Sequence, residues 1–290
     1  MAIIESHVAS PRRRTGRWSG ARRLVRDASV VDQCGIVLLG VLVLAAIFAP
    51  LLAPYSPIAP AGLPFSSPSG AHLMGTDEVG YDIFSRVLFG LRSSLFGVLL
   101  VVTSGVVIGG AIGLVAGARG GKVDAFLMRL TDLFLALPGP VLAIALVAAL
   151  GPSEMHTLLA VSIVWWPFYA RIMRGEIRAL AARPHFEAVQ MAGVRPFRRI
   201  VRYLLPGATS AMVITASLDV GNLVLTLAGL SFLGLGAPAP APELGAMSAR
   251  GLVYLLQNWW VPVMPALAVF LLSMAANLTG DALGARGSDR

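Results

Sequence analysis

Residues His185–Gly207 read HFEAVQMAGVRPFRRIVRYLLPG, a soluble-looking segment set between two apolar stretches. Arg183-Pro184 opens it, with proline in the first turn of a predicted helix. Gly193 closes that helix as a C′ residue, and Pro196 stops it from continuing. About two turns remain, roughly 12 Å long. Phe186, Val189 and Gly193 give a narrow apolar or small face, while Glu187 and Gln190 are polar. A helix this short does not hold itself together in water, so it must pack on something. Its place between arginines suits a joint between membrane helices and a cytoplasmic partner. A basic loop with no further purpose is the plainer alternative.

The surrounding chain supports a membrane setting. Of its 290 residues 56% are hydrophobic and only 13% charged, and the mean hydropathy is +0.76. A soluble domain carries about 25% charged residues. Gly35–Ala53 has no charge and is roughly 28 Å long as a helix, enough for a hydrocarbon core of ~30 Å. Arginines precede it, but it is longer than a signal-peptide core, so it reads as an uncleaved anchor. Further spans are predicted at Leu95–Ala118, Phe126–Leu150, His156–Ala170, Pro206–Leu235 and Val261–Leu278. The fold class is therefore all-α, a polytopic membrane protein with six transmembrane helices.

Charge orients it. With both termini in the cytoplasm, twenty of the 23 Lys and Arg residues lie inside, and only Arg86, Arg92 and Arg250 lie outside. The net charge of +8 is thus explained by topology rather than by nucleic acid. The chain divides into a basic tail (1–32), an anchor (33–54), an outer loop (55–92), a membrane core (93–281) and a cytoplasmic tail (282–290). Within the core, 171–205 forms the cytoplasmic loop.

Several features within the spans invite a role. Gly105, Gly109, Gly113 and Gly117 fall four apart on one helical face, which lets another backbone approach closely. Leu137-Pro138-Gly139-Pro140 interrupts the third span, either as a simple kink or as a break lining a pathway. Asp219 lies mid-span with Asn222 three residues on, either a polar stripe along a substrate path or a hydrogen-bonded structural acid. In Gly75–Arg92, GTDEVGYDIFSRVLFGLR, apolar residues from Val79 to Leu91 recur at helical spacing. Asp77 and Glu78 would sit in the first turn and Asp82 could pair with Arg86, predicting an amphipathic helix at the outer interface.

Catalytic motifs fail on spacing. GARGGKV lacks the first glycine of a phosphate loop, where Ala116 stands, and Val123 replaces its Ser or Thr. GLSFLG, Gly229–Gly234, lacks the last glycine of a nucleophile elbow, where Leu233 stands. His7, His72, His156 and His185 all lie outside the middle of the spans, so Ser231 has no evident base. Cys34 is the only cysteine, which excludes an intrachain disulfide and a cysteine metal cluster.

The residues Glu187–Gly193 and Tyr203–Pro206 resemble the EAA loop of ABC importer permeases. Glu187, Ala188, Gly193, Leu205 and Pro206 match in place, while Val189 and Tyr203 depart from the pattern. Gly75–Gly90, Leu127–Pro138 (LMRLTDLFLALP) and Leu230–Gly236 (LSFLGLG) are similar to the C-type subunit of the dipeptide/oligopeptide/nickel group. Tyr81, Asp219 and Leu227 differ from the residues usual there. The resemblance implies an importer subunit, not itself an enzyme, in the bacterial inner membrane. It implies a homologous permease partner, two cytoplasmic ATP-binding subunits that hold ATP and Mg, and an extracytoplasmic solute-binding protein. It implies ATPase coupling through Phe186, Glu187, Ala188, Gly193 and Pro206. An ATP-independent channel or secondary transporter is the rival reading.

Overall fold

The structure, a computed structural model, describes residues 30–287. The basic run Arg12–Arg26 and Arg290 lie outside the described residues. The described chain is helical, with one isolated bridge between Thr76 and Asp82. Its helices are α1 (Val30–Ile47), α2 (Ala49–Leu52), α3 (Ile83–Arg119), α4 (Gly121–Leu135), α5 (Gly139–Leu150) and α6 (Glu154–Ala181). Then come α7 (Pro184–Met191), α8 (Pro196–Arg199), α9 (Leu205–Phe232), α10 (Leu244–Gly251) and α11 (Trp260–Gly287).

Four helical runs are long and apolar enough to cross a membrane: α1, α3, Pro196–Phe232 and α11. The α4–α5 pair makes a fifth when its two arms, bent by 81°, are taken as one span. The sequence predicted an interruption at Leu137–Pro140, and it is a break rather than a simple kink. Pro138 and Pro140 end one helix and start another, because each proline lacks an amide proton and the residue before it is pushed out of the α region.

α6 is longer than the predicted His156–Ala170 span, yet it falls short of the apolarity of the other four. The cause is what it faces. Ser162, Trp166, Pro167 and Tyr169 are buried against protein rather than lipid, so this helix needs less hydrophobicity. It packs most extensively with α3, and the glycine face makes that possible. A Cβ on Gly109 would meet the Trp166 carbonyl oxygen, and one on Gly113 the Ala170 carbonyl oxygen. The four-residue spacing is a helix–helix seam.

The contacts fix directions. Gly97 meets Leu158 and Gly117 meets Ile177, so α3 and α6 run parallel. A chain can run parallel twice only if the intervening α4–α5 brings it back. Gly207 meets Leu180 while Thr157 Oγ1 donates to the Leu235 carbonyl at 2.6 Å, so α9 runs antiparallel to α6. Ser273 Oγ donates to the Gly221 carbonyl at 2.9 Å and Gly280 abuts Ser217, so α11 returns along α9. Gly35 near the start of α1 abuts Leu278 near the end of α11. One end of the bundle thus carries α7 and the α3–α4 turn, and the other carries residues 53–82 and 233–259.

The predicted outer interfacial helix is corrected. The helix starts at Ile83, not at Asp77, and continues without a break into the second span. Asp82 is its N-cap, accepting from Ser85 N at 2.8 Å and Ser85 Oγ at 2.7 Å. Asp77 instead accepts from the amides of Val79 and Tyr81 in a preceding turn. Arg86 does not pair with Asp82. It is 1% exposed, donates to the Pro57 carbonyl at 2.9 Å, lies 3.8 Å from Asp77 and stacks over Tyr81. His72 Nδ1 takes the free oxygen of Asp82 at 2.9 Å. Residues 53–82 therefore form a cap knotted by Arg86, not a helix lying on lipid.

Candidate functional site: a short helix at one end of the bundle

The α7 part of this segment, Arg183 to Gly193, folds as the spacing predicts. Arg183 is the extended N-cap of α7, Pro184 stands at its first position and Gly193 follows it at φ +70°. Nothing lies within 4 Å of a Cβ built on Gly193, so the glycine answers to the backbone turn alone.

Phe186 is buried and its neighbour Glu187 is exposed. Phe186 is buried in a cluster with Tyr169, Met173, Ile177, Leu204, Ala208 and Met212, contributed by α6 and α9 and the turn before α9. Glu187, Ala188 and Gln190 are exposed, and Met191 is 87% exposed. The sequence placed Phe186 among the residues α7 offers to a partner. It is instead the buried anchor of α7, and Glu187, Ala188 and Met191 are what α7 leaves exposed.

Pro206 is not the start of a span. Helix runs from Pro196 to Phe232, and Ile200–Leu204 between α8 and α9 winds as a π turn in which Leu205 N–H reaches the Ile200 carbonyl. Pro206 cannot donate and would crowd the preceding turn, and the wider winding just before it absorbs both effects. The result is a rigid arm from the exposed α7–α8 corner directly into α9. Phe197 is 78% exposed on that arm, beside the exposed Arg195, Arg198 and Arg202 and the half-buried Arg199.

The same end of the bundle is clamped. Arg174 on α6 makes a two-pronged contact with Asp124 on α4, Nε to Oδ1 at 2.5 Å and Nη2 to Oδ2 at 2.8 Å. Arg178 joins the same carboxylate, and Arg171 reaches Asp132 at 2.6 Å. These pairs tie the first arm of the bent span to the helix that ends in α7. Sequence reading counted the arginines only for orientation; their i, i+3, i+7 spacing opposite Asp124 and Asp132 was the available signal.

Residues 109–287 match the family described as the binding-protein-dependent transport system inner membrane component. This chain belongs to that permease family. Residues 18–66 of the permease also match the N-terminal transmembrane domain of oligopeptide transport permease C. The permease is 37% identical to a probable D,D-dipeptide transport system permease protein of Escherichia coli over 98% of its own length and 95% of that protein's. It is 36% identical to a dipeptide transport system permease protein of Alkalihalophilus pseudofirmus, covering 86% of this chain and 82% of the relative. A glutathione transport system permease protein of Pectobacterium atrosepticum shares 40% identity over 74% of this permease and 72% of its own chain.

Deeper in the permease, Asp219 is buried on α9 and accepts from Trp165 Nε1 at 2.5 Å and Tyr169 Oη at 3.0 Å, both on α6. Asn222 contacts the same carboxylate and is itself exposed. Ser231 is buried and its hydroxyl meets Glu243, while His156 Nδ1 contacts the Gly151 carbonyl at 2.8 Å.

Proposed function

We propose that this permease is one half of the translocation path of an ATP-driven importer of small peptides, supplied by an extracytoplasmic solute-binding protein. A homologous permease subunit provides the other half, and two ATP-binding subunits on the cytoplasmic side hold ATP and Mg. The observation that carries the reading is α7, pinned inward by Phe186 and offering Glu187, Ala188 and Met191 outward within the family-matched segment. Peptide as the cargo is favoured by the names of the dipeptide and glutathione permeases to which the chain is similar.

Six crossings with both termini in the cytoplasm fit the parallel α3–α6 pair, the antiparallel α9 and α11, and the arginine count. α6 is then the sixth span, with Leu159, Ile163 and Phe168 exposed and Ser162, Trp166 and Tyr169 buried against protein. In this topology α7 and the clamped Asp124 lie inside.

Mechanically, closure of the ATPase pair pushes on α7. The push reaches α6 through Ala181 and the Phe186 cluster, and α9 through the Pro196–Leu204 arm. Both helices move as rigid elements, which biases the halves between inward- and outward-facing states. In this reading Asp219 holds α6 and α9 together, and Asn222 is the member of the polar pair that faces the path.

Co-purification from native membrane tests the assignment. A second permease and ATPase subunits retained with the tagged chain support it. A lone homo-oligomer active in transport without ATP supports the channel or secondary-transporter alternative.

A further inference from the structure

The outer end of the permease holds a cavity of about 720 Å³ between the start of α3, the start of α6 and the 237–243 loop. Its size falls in the ~300–1,000 Å³ range of small-ligand pockets. Phe89, Phe96 and Met155 supply apolar walls, and Arg92, Glu154 and Glu243 supply charge. Neither glutamate has a cationic partner among the described residues, and Arg92 has no carboxylate partner there. A narrower extension of about 30 Å³ leads inward past Ser94, Thr157 and Ser231.

The two carboxylates are held differently. Glu154 accepts from Ser93 Oγ at 2.5 Å and is otherwise exposed. Glu243 is buried and caps α10, accepting from Ala246 N at 2.8 Å and Gly245 N at 3.3 Å. Desolvation pushes the Glu243 carboxyl above the ordinary carboxylate range, and the nearby charge of Glu154 pushes it further. Two carboxylates without a cationic partner among the described residues, both lining one open cavity, leave a place where a cation is stabilising. An unpaired guanidinium on the same wall makes the cavity suited to a zwitterion.

We propose that this cavity receives a small peptide on its way into the path, with Glu154 and Glu243 taking the α-ammonium group and Arg92 taking a carboxylate. Charge-assisted hydrogen bonds of this kind are the strong ones in partly desolvated sites. Specificity for the ammonium follows from the carboxylates, since an acylated amine leaves them without a cation. The apolar walls tolerate varied side chains. This site rests on the peptide-import reading above.

The test uses the full complex of both permeases and both ATPases, without the binding protein, so that only the membrane complex can discriminate. Saturation-transfer NMR is recorded with L-alanyl-L-alanine, D-alanyl-D-alanine and glutathione, and with their N-acetylated forms. Signal from at least one free peptide, lost on N-acetylation and reduced at least fivefold in Glu154→Gln/Glu243→Gln, supports the site. Arg92→Gln should weaken the same signal, while Glu154→Asp should retain it. ATPase subunits retained at wild-type level in every variant show that assembly is intact. Equal signal from acetylated peptide, wild-type signal in the double variant, or no signal from any free peptide overturns the site. Uptake of the same three peptides into vesicles, with binding protein present, judges the underlying reading separately. Uptake without a reception signal sinks only the cavity, whereas no uptake of any peptide sinks the peptide-import reading and the cavity with it.

Discussion

Trp165 and Tyr169 on α6 both donate to one carboxylate oxygen of Asp219 on α9, at 2.5 and 3.0 Å. An acid in the middle of a span is thereby a cross-link between the two helices that flank the α7–α8 corner. Asp219→Leu leaves a buried phenol O–H without an acceptor, at about 1–3 kcal/mol, and a half-buried indole N–H at less than that. Asp219→Asn keeps an acceptor. The expected outcome is a lowered melting temperature and reduced transport for Leu, with Asn near wild type in melting temperature. Scanning calorimetry of the purified complex beside vesicle uptake checks it. A Leu variant as stable as wild type would show that the cross-link carries no weight.

The glycine seam makes a sharper demand. Gly109→Val would drive its side chain into the Trp166 carbonyl and the Ala170 amide, neither of which can move without shifting α6. Overpacking typically costs about 1–3 kcal/mol, and more where backbone blocks the way. Reduced yield of the assembled complex is expected for Gly109→Val, and little change for Gly229→Ala, whose surroundings are open. Quantitative size-exclusion chromatography reads both.

At the α7 end of the bundle, Asp124→Ala strips Arg174 and Arg178 of their shared carboxylate. Charge-assisted bonds of this kind are worth about 1.5–3 kcal/mol, and both arginines are partly exposed, which favours the low end. α4 should loosen from α6. Faster hydrogen exchange is expected in Gly121–Leu135 without loss of exchange protection in α9 or α11. Unchanged exchange in α4 would count against the clamp.

Glu243 gives a pH signature. Its carboxyl is raised above 4.5 chiefly by desolvation, so the native state holds its proton more tightly than the unfolded chain. The associated stability is complete below about pH 4.5 and is lost as pH rises through the raised value. Relative to Glu243→Gln, which is neutral throughout and keeps the cap, wild type should lose stability in that window, by up to about 1.4 kcal/mol per pH unit. Parallel melting curves against pH for the two proteins test the sign. A difference that grows in favour of wild type with rising pH would contradict it.

Much of this architecture was legible in the sequence, and the misses have physical causes. α1, α3, α9 and α11 announce themselves because lipid-facing helices must be apolar. The ends of α7 were readable from Pro184 and Gly193, because proline and glycine mark turns by backbone geometry that no neighbour alters. α6 was read too short, since its last turns carry Arg171, Arg174 and Arg178, which answer to Asp132 and Asp124 rather than to lipid. In Gly75–Arg92 the apolar residues from Ile83 to Leu91 are helical as their spacing predicts, and only the start misled, because Val79 in the irregular cap happens to continue that spacing. What distinguishes the two is where Asp77 and Asp82 send their oxygens, which depends on contacts with His72 and Arg86. The inward turn of Phe186 was equally hidden, as a two-turn helix with one aromatic residue does not reveal which side has the partner. Neither the pairing of Glu154 with Ser93 nor the closeness of Glu243 could be read along the chain, because 61 residues separate the first pair.

Gly193 separates backbone from side chain at the α7 corner. Its φ of +70° costs a β-branched residue on the order of 1–2 kcal/mol, while asparagine tolerates that region. The space around it is open, so size alone carries no penalty. Gly193→Val should fray α7 and lower ATPase retention, and Gly193→Asn should leave it near wild type. Equal retention in both variants would remove the backbone argument.

The central claim is that the exposed face of α7 is where the ATPase subunits engage. Glu187→Lys tests it most directly, because Glu187 is exposed, has no packing role and lies next to the buried anchor. ATPase subunits retained per permease pair are measured on the affinity-purified complex, beside binding-protein-stimulated ATP hydrolysis. The account expects the variant to insert and pair with its partner permease while losing most of the bound ATPase or most of the stimulation. Wild-type values of both would contradict it and leave Pro184–Met191 as no more than a turn between two spans.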